Sequence, residues 1–164
     1  MLNSQRIITL ERDYEHLARA LDMARHSPDP ATQVGAVIAS RHGVLVAAGF
    51  NALPPGLAPT LWRMLDRETK LKLIVHAEMS AICCAARHGR IIEGGTLYLA
   101  ATDDTDLVWG GPPCTRCTVH LIQAGITTVV SYRQKPGPSK WHDDLNFARD
   151  ILVEAHVTLL ELPV

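Results

Sequence analysis

The chain has 164 residues, 47% of them apolar, and a formal net charge of -1 at pH 7. This length and composition suffice for a core without disulfides, so residues 1–164 are predicted to form a single domain. The near-neutral charge disfavours a nucleic-acid polymer as partner, because proteins that bind one usually carry a basic face. No apolar run approaches the roughly 20 residues of a membrane span, and the first residues do not resemble a signal peptide. We therefore expect a cytoplasmic protein without a membrane partner.

Apolar periodicity predicts the elements of the first half of the chain. A helix is expected from Glu11 to His26, where a Ser-Pro-Asp-Pro run follows the last helical repeat. Two strand-like runs, Val34 to Ala39 and Val44 to Phe50, flank a turn that contains glycine and should pair antiparallel. The next segment, Ala52 to Lys72, is rich in proline and charge and is predicted to be a long loop. Another helix should span Ala77 to Arg87.

The second half alternates strands and helices. Strands are predicted at Thr96 to Ala101, Thr127 to Tyr132 and Val157 to Leu160, and helices at Cys114 to Ala124 and Asp143 to Ala155. Because a helix rather than a tight turn separates the last two strands, they should be parallel through a right-handed crossover. The order αββαβαβαβ predicts an α/β fold with one mixed five-stranded sheet and helices on both faces.

Two short stretches at predicted helix starts carry residues suited to metal chemistry. One is a His-Ala-Glu stretch that starts at His76, and the other is a Pro-Cys-Thr-Arg-Cys stretch that starts at Pro113. Cys114 and Cys117 share one face of a helical turn, and the helix N-terminus favours their thiolate forms. With His76 they supply three ligands, the number typical of catalytic zinc, which leaves the fourth position to water. Glu78 can reach that water and a substrate, and it is the natural proton shuttle.

The cysteines admit two other interpretations. A CxxC motif alone could be a redox pair or half of a structural zinc site, but a structural site needs a fourth protein ligand. Cys83 and Cys84 lie about 10 to 12 Å beyond His76 along the predicted helix, and they are expected to be buried core thiols. His120 should sit about one and a half turns from Cys114, too far along the helix to bind the same ion.

Together the two stretches match the zinc deaminase signature H-x-E followed by P-C-x-x-C. From about Glu11 to Leu160 the chain resembles the cytidine and deoxycytidylate deaminase superfamily. Further segments carry this resemblance: Asp29-Pro30, Gln33 to Ile38, Gly49 to Asn51, His76 to Ile82, Gly95 to Tyr98 and Gln123 to Ile126. The charged segment before His76 and the piece from Lys140 to Asp143 are similar to the deoxycytidylate deaminases in particular.

The resemblance implies a three-layer αβα cytidine-deaminase-like fold in which the fourth and fifth strands are parallel. It implies zinc (Zn2+) bound by His76, Cys114 and Cys117, with Glu78 as the catalytic proton shuttle. The implied reaction is hydrolytic deamination of a cytosine nucleotide by a zinc-bound hydroxide, of the dCMP to dUMP type, with release of ammonia. A small-molecule nucleotide or nucleobase is the implied substrate, and a homo-oligomer is the implied assembly.

The resemblance also suggests substrate contacts. Asn51 should hydrogen-bond the sugar or base, the backbone around Ala77 should contact the base edge, and Trp141 should cover the base, although core packing explains Trp141 equally well. The segment before His76 carries four cations that could clamp a phosphate or simply form a solvated charged surface. These cations are Arg63, Arg67, Lys70 and Lys72.

An insertion from Ala101 to Pro112 departs from the family pattern. It contains three aspartates, which would repel a phosphate near the metal, and Trp109, which could stack on a base or anchor the loop. A nucleoside, a free base or a modified base therefore stays an alternative substrate, including guanine, tRNA adenosine and a riboflavin-pathway pyrimidine. A non-catalytic, zinc-stabilised assembly subunit is a further alternative, but such a subunit would have no use for Glu78.

Overall fold

The computed structural model describes residues 4–134 and 141–164, with side chains described from residue 9 onward. Its elements in chain order are α1 (Ser4–Ala24), β1 (Gln33–Ala39), β2 (Leu45–Phe50), α2 (Leu61–Leu65), α3 (Arg67–Leu73), α4 (Ala77–Arg87), β3 (Thr96–Thr102), α5 (Thr115–Gln123), β4 (Thr128–Tyr132), α6 (His142–Glu154) and β5 (Thr158–Leu162). Lys140, part of the similarity to deoxycytidylate deaminases, lies outside the described residues. None of the helices in the described ranges is long and apolar enough to cross a membrane.

The five strands form one mixed sheet in the order β2-β1-β3-β4-β5. β1 is antiparallel to both β2 and β3, whereas β3, β4 and β5 run parallel to one another. The antiparallel hairpin and the parallel pair of β4 and β5 confirm the predicted sheet. The parallel strands are joined through α5 and α6, as the length of a crossover connection requires.

Helices cover both faces of the sheet, so the fold has three layers. Alternate side chains of a strand point to opposite faces, and β1 accordingly supplies Val37 to one apolar cluster and Ile38 to the other. α1 packs on the first face through Leu17. α4 and α5 pack on the second face through Ala81 and Leu121. This arrangement confirms the predicted αβα layers.

Two strand glycines let helices rest directly on strand backbone. A Cβ at Gly35 of β1 would lie 2.0 Å from the carbonyl oxygen of Ala20 in α1. A Cβ at Gly49 of β2 would lie 2.5 Å from the amide nitrogen of Ala81 in α4. Because α4 carries the His-Ala-Glu stretch at its start, the small residue at Gly49 fixes how closely that stretch approaches the sheet.

The segment after β2 corrects the prediction of a long loop over residues 52–72. It contains α2 and α3, which have only 5 and 7 residues. Helices this short contain too few turns for apolar periodicity to show against a background rich in proline and charge. Asp66 begins α3 by accepting a hydrogen bond from the Thr69 amide at 2.9 Å. α1 also begins at Ser4 rather than Glu11, while the other elements match their predicted ends within two residues.

Candidate active site

Three side chains that could hold a metal ion meet where α4 and α5 begin. His76 is the N-cap residue of α4, Cys114 is the N-cap residue of α5, and Cys117 lies in the first turn of α5. The Nδ1 atom of His76 is 3.5 Å from the Sγ atom of each cysteine. The three ligand atoms all lie within 4.8 Å of one another.

This spacing fits a tetrahedral zinc ion. Zinc–sulfur bonds near 2.3 Å and zinc–nitrogen bonds near 2.05 Å, set at the tetrahedral angle, place sulfur and nitrogen about 3.6 Å apart. The observed separations of 3.5 Å agree with that value. One imidazole and two thiolates are also ligands that suit zinc. Among the described residues these three form the whole cluster, and three protein ligands are the number typical of catalytic zinc.

The electrostatics of the cluster favour one thiolate. A hydrogen bond from the Cys117 thiol lowers the pKa of Cys114 to about 4, and His76 acts in the same direction. That same bond, together with burial, raises the pKa of Cys117. The bond to Cys114 raises the pKa of His76. The cluster therefore favours one thiolate, and because metal-bound cysteines are deprotonated, metal binding here would be coupled to release of the second thiol proton.

Glu78 lies in the first turn of α4 and is 4% exposed. Burial raises the pKa of its carboxyl, and the nearby charge of Cys114 acts in the same direction. A carboxyl whose pKa is raised in this way is better suited than an ordinary glutamate to hold a proton and pass it to a substrate. Its position two residues after His76 places it beside the cluster without making it part of the ligand set.

A cavity of about 540 Å³ opens beside the metal cluster. His76 and Cys114 line it, together with the loop at residues 29–32, α3 and the start of α6. The volume lies within the range of sites for small molecules, roughly 300 to 1,000 Å³. The cavity therefore suits a small molecule of nucleotide size in contact with His76 and Cys114.

Asn51 lines this cavity, and its side chain also organises the cavity wall. Its Oδ1 atom accepts a hydrogen bond from the Val34 amide at 2.7 Å, and its Nδ2 atom donates to the carbonyl of Thr32 at 2.9 Å. A side-chain amide has two N–H groups, so one is left for a ligand. The side chain of Asn51, just after β2, is thus hydrogen-bonded to the start of β1 at the edge of the cavity.

Of the other three predicted substrate-binding residues, one lines the cavity and two do not. Trp141 lines the cavity and is 41% exposed, so it is not a core residue. Ala77 is fully buried at the first position of α4. Trp109 is not among the residues that line the cavity, because its backbone pairs with Ala101 through hydrogen bonds of 2.8 and 3.0 Å.

The insertion at residues 101–112 folds back on the sheet. After the bridge between Ala101 and Trp109, Gly110 pairs with Gln134. A Cβ at Gly110 would lie 2.3 Å from the carbonyl oxygen of Tyr132, so this contact needs glycine. None of the insertion's residues lines the cavity. Its three aspartates therefore do not form part of the cavity wall.

The chain was compared with known protein families and proteins. The family model for the cytidine and deoxycytidylate deaminase zinc-binding region matches residues 10–133. The chain belongs to this deaminase family. It is 32% identical over 139 residues to a protein of Aliivibrio fischeri named an uncharacterized deaminase in the luxG 3' region, covering 84% of each chain. It is 31% identical over 147 residues to human deoxycytidylate deaminase, covering 87% of this chain and 74% of the human enzyme.

Solved structures share the fold of this deaminase. The apo crystal structure of the dCMP deaminase from cyanophage S-TIM5 has a TM-score of 0.67 at 19% identity, covering 93% of this chain and 98% of that one. The structure of that enzyme in complex with dCMP and dUMP has a TM-score of 0.64 at 17% identity, covering 99% and 100%. Family membership makes the chain a hydrolase of C–N bonds with zinc as its cofactor.

The four cations of the segment before His76 occupy different places in the deaminase. Lys70 forms an ion pair with Asp29 at 3.0 Å, and both residues line the cavity. Arg67 also lines it. Lys72 instead forms an ion pair with an exposed glutamate of the same helix. Arg63 donates a hydrogen bond to a backbone carbonyl, and its guanidinium lies over the ring of the neighbouring tryptophan. Only two of the four, Arg67 and Lys70, therefore face the cavity.

The prediction that Cys83 and Cys84 are buried core thiols is wrong for Cys83, which is exposed, and Cys84 is only partly buried. The buried face of α4 carries Ala77, Ala81 and Ala85, which repeat every four residues. Because successive helical residues are about 100° apart, Cys83 lies on roughly the opposite side from Ala81. The core of this region is built from alanines rather than thiols.

Asp144 of α6 contacts the residue next to Cys114, a contact that the sequence did not indicate. Its carboxylate accepts a hydrogen bond from the Thr115 amide at 3.0 Å, and its backbone carbonyl accepts one from the Thr115 hydroxyl at 3.0 Å. Thr115 follows the predicted ligand Cys114 directly. The only sequence signal was an acidic residue in the first turn of a helix, which is common and carries no specific meaning.

His120, by contrast, bonds to the Arg116 carbonyl at 2.6 Å and is not in the cluster.

Proposed function

We propose that the deaminase acts on a cytosine nucleotide and converts dCMP to dUMP with release of ammonia. The proposal depends mainly on one observation: a cavity of about 540 Å³ is lined both by two members of the metal cluster and by the cations Arg67 and Lys70. Because Lys70 is paired with Asp29, Arg67 is the cation of this wall that suits the phosphate of a nucleotide, which a nucleoside or free base lacks. The similarity to human deoxycytidylate deaminase supports this choice of substrate.

The catalytic roles follow from the chemistry of the side chains. We assign His76, Cys114 and Cys117 as zinc ligands and Glu78 as the proton shuttle. Zinc bound at such a site lowers the pKa of a coordinated water towards neutrality. Hydrolysis at C4 of cytosine adds one water and releases ammonia, and it needs protons on the ring nitrogen and on the departing amine. Glu78 is buried beside the ligands, and its raised pKa suits the transfer of these protons.

Binding of the substrate is assigned to residues around the cavity. Asn51 is held by two backbone hydrogen bonds and offers a remaining N–H group to the sugar or base. The exposed ring of Trp141 can stack on the base, and the backbone around Ala77 can contact the base edge. Contact between Trp109 and a base stays a prediction.

Arg67 is the better candidate for the phosphate contact. Lys70 is already paired with Asp29 in the cavity wall. Arg67 has no such ion pair among the residues that the structure describes, and a guanidinium can bind two phosphate oxygens at once. The proposed assignment is therefore Arg67 for the phosphate, with Lys70 as part of the cavity wall.

The test compares ammonia release from dCMP, deoxycytidine, cytosine, guanine and adenosine by the zinc-loaded protein and by Arg67→Ala. We expect kcat/KM for dCMP to exceed that for deoxycytidine by about tenfold or more, and the excess to disappear in Arg67→Ala, because one charge-assisted contact contributes about 1.5 to 3 kcal/mol. Arg63→Ala is the matched control, since Arg63 does not line the cavity. Equal or faster turnover of a nucleoside or a free base would reject the nucleotide substrate.

We also propose that residues 1–164 form one domain and that the deaminase works as a homo-oligomer. All described strands belong to one sheet, which supports a single domain. The assembly is proposed from the family resemblance and can be checked by measuring the mass of the zinc-loaded protein in solution.

A further inference from the structure

The helix that carries both predicted cysteine ligands begins with a cysteine rather than with one of the usual capping residues. The first amides of a helix have no partner within the helix, and an N-cap Ser, Thr, Asp or Asn usually supplies an acceptor. The N-cap residue of α5 is Cys114, whose side chain makes no capping hydrogen bond. Its sulfur lies 3.5 Å from His76 Nδ1 instead. The first amide of α5, that of Thr115, takes its acceptor from another element.

Asp144 of α6 supplies this acceptor. Its carboxylate Oδ2 atom accepts a hydrogen bond from the Thr115 amide, and its backbone carbonyl accepts a second bond from the Thr115 hydroxyl, both at 3.0 Å. Two bonds to one residue restrict both the position and the rotation of Thr115. Because Thr115 is covalently joined to Cys114, this restraint also limits the position of the Cys114 sulfur.

The same residue ties the cavity to the metal ligands. Two residues near Asp144 at the start of α6 line the cavity: Trp141, the N-cap residue, and Leu145. The Leu145 amide donates a hydrogen bond to the Trp141 carbonyl at 2.8 Å. α6 packs against α5 here, so the bonds from Asp144 join the turn that faces the substrate to the turn that carries Cys114.

We propose that Asp144 is a positioning residue that caps α5 from α6 and holds Cys114 in the geometry that binds the metal. The inference rests on the proposed ligand set His76, Cys114 and Cys117. The carboxylate acts through its hydrogen bond to the Thr115 amide, so any side chain that keeps an acceptor oxygen at that place should preserve its effect. Groups that orient metal ligands in this way typically contribute 10- to 100-fold to metal affinity.

The experiment measures zinc affinity by competition with a chromogenic chelator and records the absorption spectrum of the cobalt-substituted protein. In Asp144→Ala we expect zinc binding to weaken by about tenfold or more and the cobalt bands to shift, because the Cys114 sulfur loses its restraint. Asp144→Asn keeps an acceptor oxygen and should stay within about threefold of the unaltered protein. Asp143→Ala, which removes an exposed acidic residue from the same helical turn, is the matched control and should change neither readout.

A second variant removes the same hydrogen bond from its other end. Thr115→Pro deletes the amide donor at the first position of α5, where proline is well tolerated, and the extended conformation of Cys114 (φ -61°, ψ 159°) accepts a following proline. We expect this variant to reproduce the loss of zinc affinity seen in Asp144→Ala. It also gives a result if Asp144→Ala does not fold.

The outcomes separate this inference from the proposed function. Unchanged zinc affinity and cobalt spectrum in both Asp144→Ala and Thr115→Pro would overturn the positioning role. So would an equal loss in Asp144→Asn, because charge rather than the hydrogen bond would then be responsible. In Cys117→Ser the thiolate-to-cobalt absorption should fall but not vanish, because Cys114 remains as a thiolate ligand, and absorption equal to that of the unaltered protein would overturn the ligand set and both proposals. None of these readouts depends on which base or nucleotide is turned over.

Discussion

Removal of the Tyr98 hydroxyl should destabilise the fold on the face of the sheet opposite the metal cluster. Tyr98 is 4% exposed, and its hydroxyl donates a 2.9 Å hydrogen bond to the carboxylate of Asp13, which is 5% exposed. Tyr98→Phe keeps the ring but leaves this buried carboxylate without that donor. Hydrogen bonds to charged groups contribute about 1.5 to 3 kcal/mol, so we expect the free energy of unfolding to fall by about 2 kcal/mol.

The assay is urea denaturation followed by circular dichroism, with thermal melting alongside it. For a chain of this size a loss of about 2 kcal/mol lowers the melting temperature by roughly 4 to 8 °C. Tyr132→Phe is the matched control, because Tyr132 belongs to the same apolar cluster, and no described residue accepts a hydrogen bond from its hydroxyl. That control should change the free energy of unfolding by less than about 0.5 kcal/mol.

The pH dependence of this loss has a definite sign. Burial raises the pKa of Asp13, and the bond from Tyr98 opposes that rise. Because the folded pKa lies above the unfolded value, the native state gains stability as the pH falls through the folded pKa. Tyr98→Phe raises the folded pKa further, so its deficit should be largest near pH 7 and shrink as Asp13 becomes protonated. A deficit below about 0.5 kcal/mol, or one that does not change with pH, would refute the reasoning.

Two further pairs of substitutions test the ion pair in the cavity wall and the packing of α4 on β2. Lys70→Ala leaves the buried carboxylate of Asp29 without its ion-pair partner and should cost on the order of 3 kcal/mol in urea denaturation, whereas Lys72→Ala breaks a pair exposed to solvent and should cost less than about 0.5 kcal/mol. Equal losses would contradict the difference in burial. Gly49→Ala and Gly35→Ala should each cost about 1 to 3 kcal/mol of unfolding free energy, because the added methyl group meets helix backbone. Only Gly49→Ala, which displaces α4, should also weaken zinc binding, and an equal effect of both on zinc affinity would count against this geometry.

The sheet and the clustering of His76, Cys114 and Cys117 were predictable because both depend on local patterns. The alternation in β1 sends Val37 and Ile38 to opposite faces, and this pattern is visible in the sequence itself. The spacing of Cys114 and Cys117 is likewise local, since a helical turn brings residues three apart to one face. His76 could be added because it starts another predicted helix and belongs to a recognised signature.

The unpredicted features depend on contacts between distant segments. Lys70 and Asp29 are 41 residues apart, and Asp144 is 29 residues from Thr115. No periodicity links such pairs, because their contact is created by the packing of α3 and α6 rather than by local spacing. The place of Trp109 also depends on the path of the insertion, whose backbone pairs with β3 and keeps this residue out of the cavity lining.

The most direct test of the central claim is Glu78→Gln on the zinc-loaded protein, with ammonia release from dCMP and zinc content measured on the same sample. Glutamine keeps the size of the side chain but cannot carry the proton, so ammonia release should fall by about 10²- to 10⁴-fold while zinc content stays that of the unaltered protein. Glu93→Gln, at an exposed glutamate, should leave both measurements unchanged. Retention of more than about a tenth of the activity in Glu78→Gln would contradict the assignment of Glu78 as the proton shuttle.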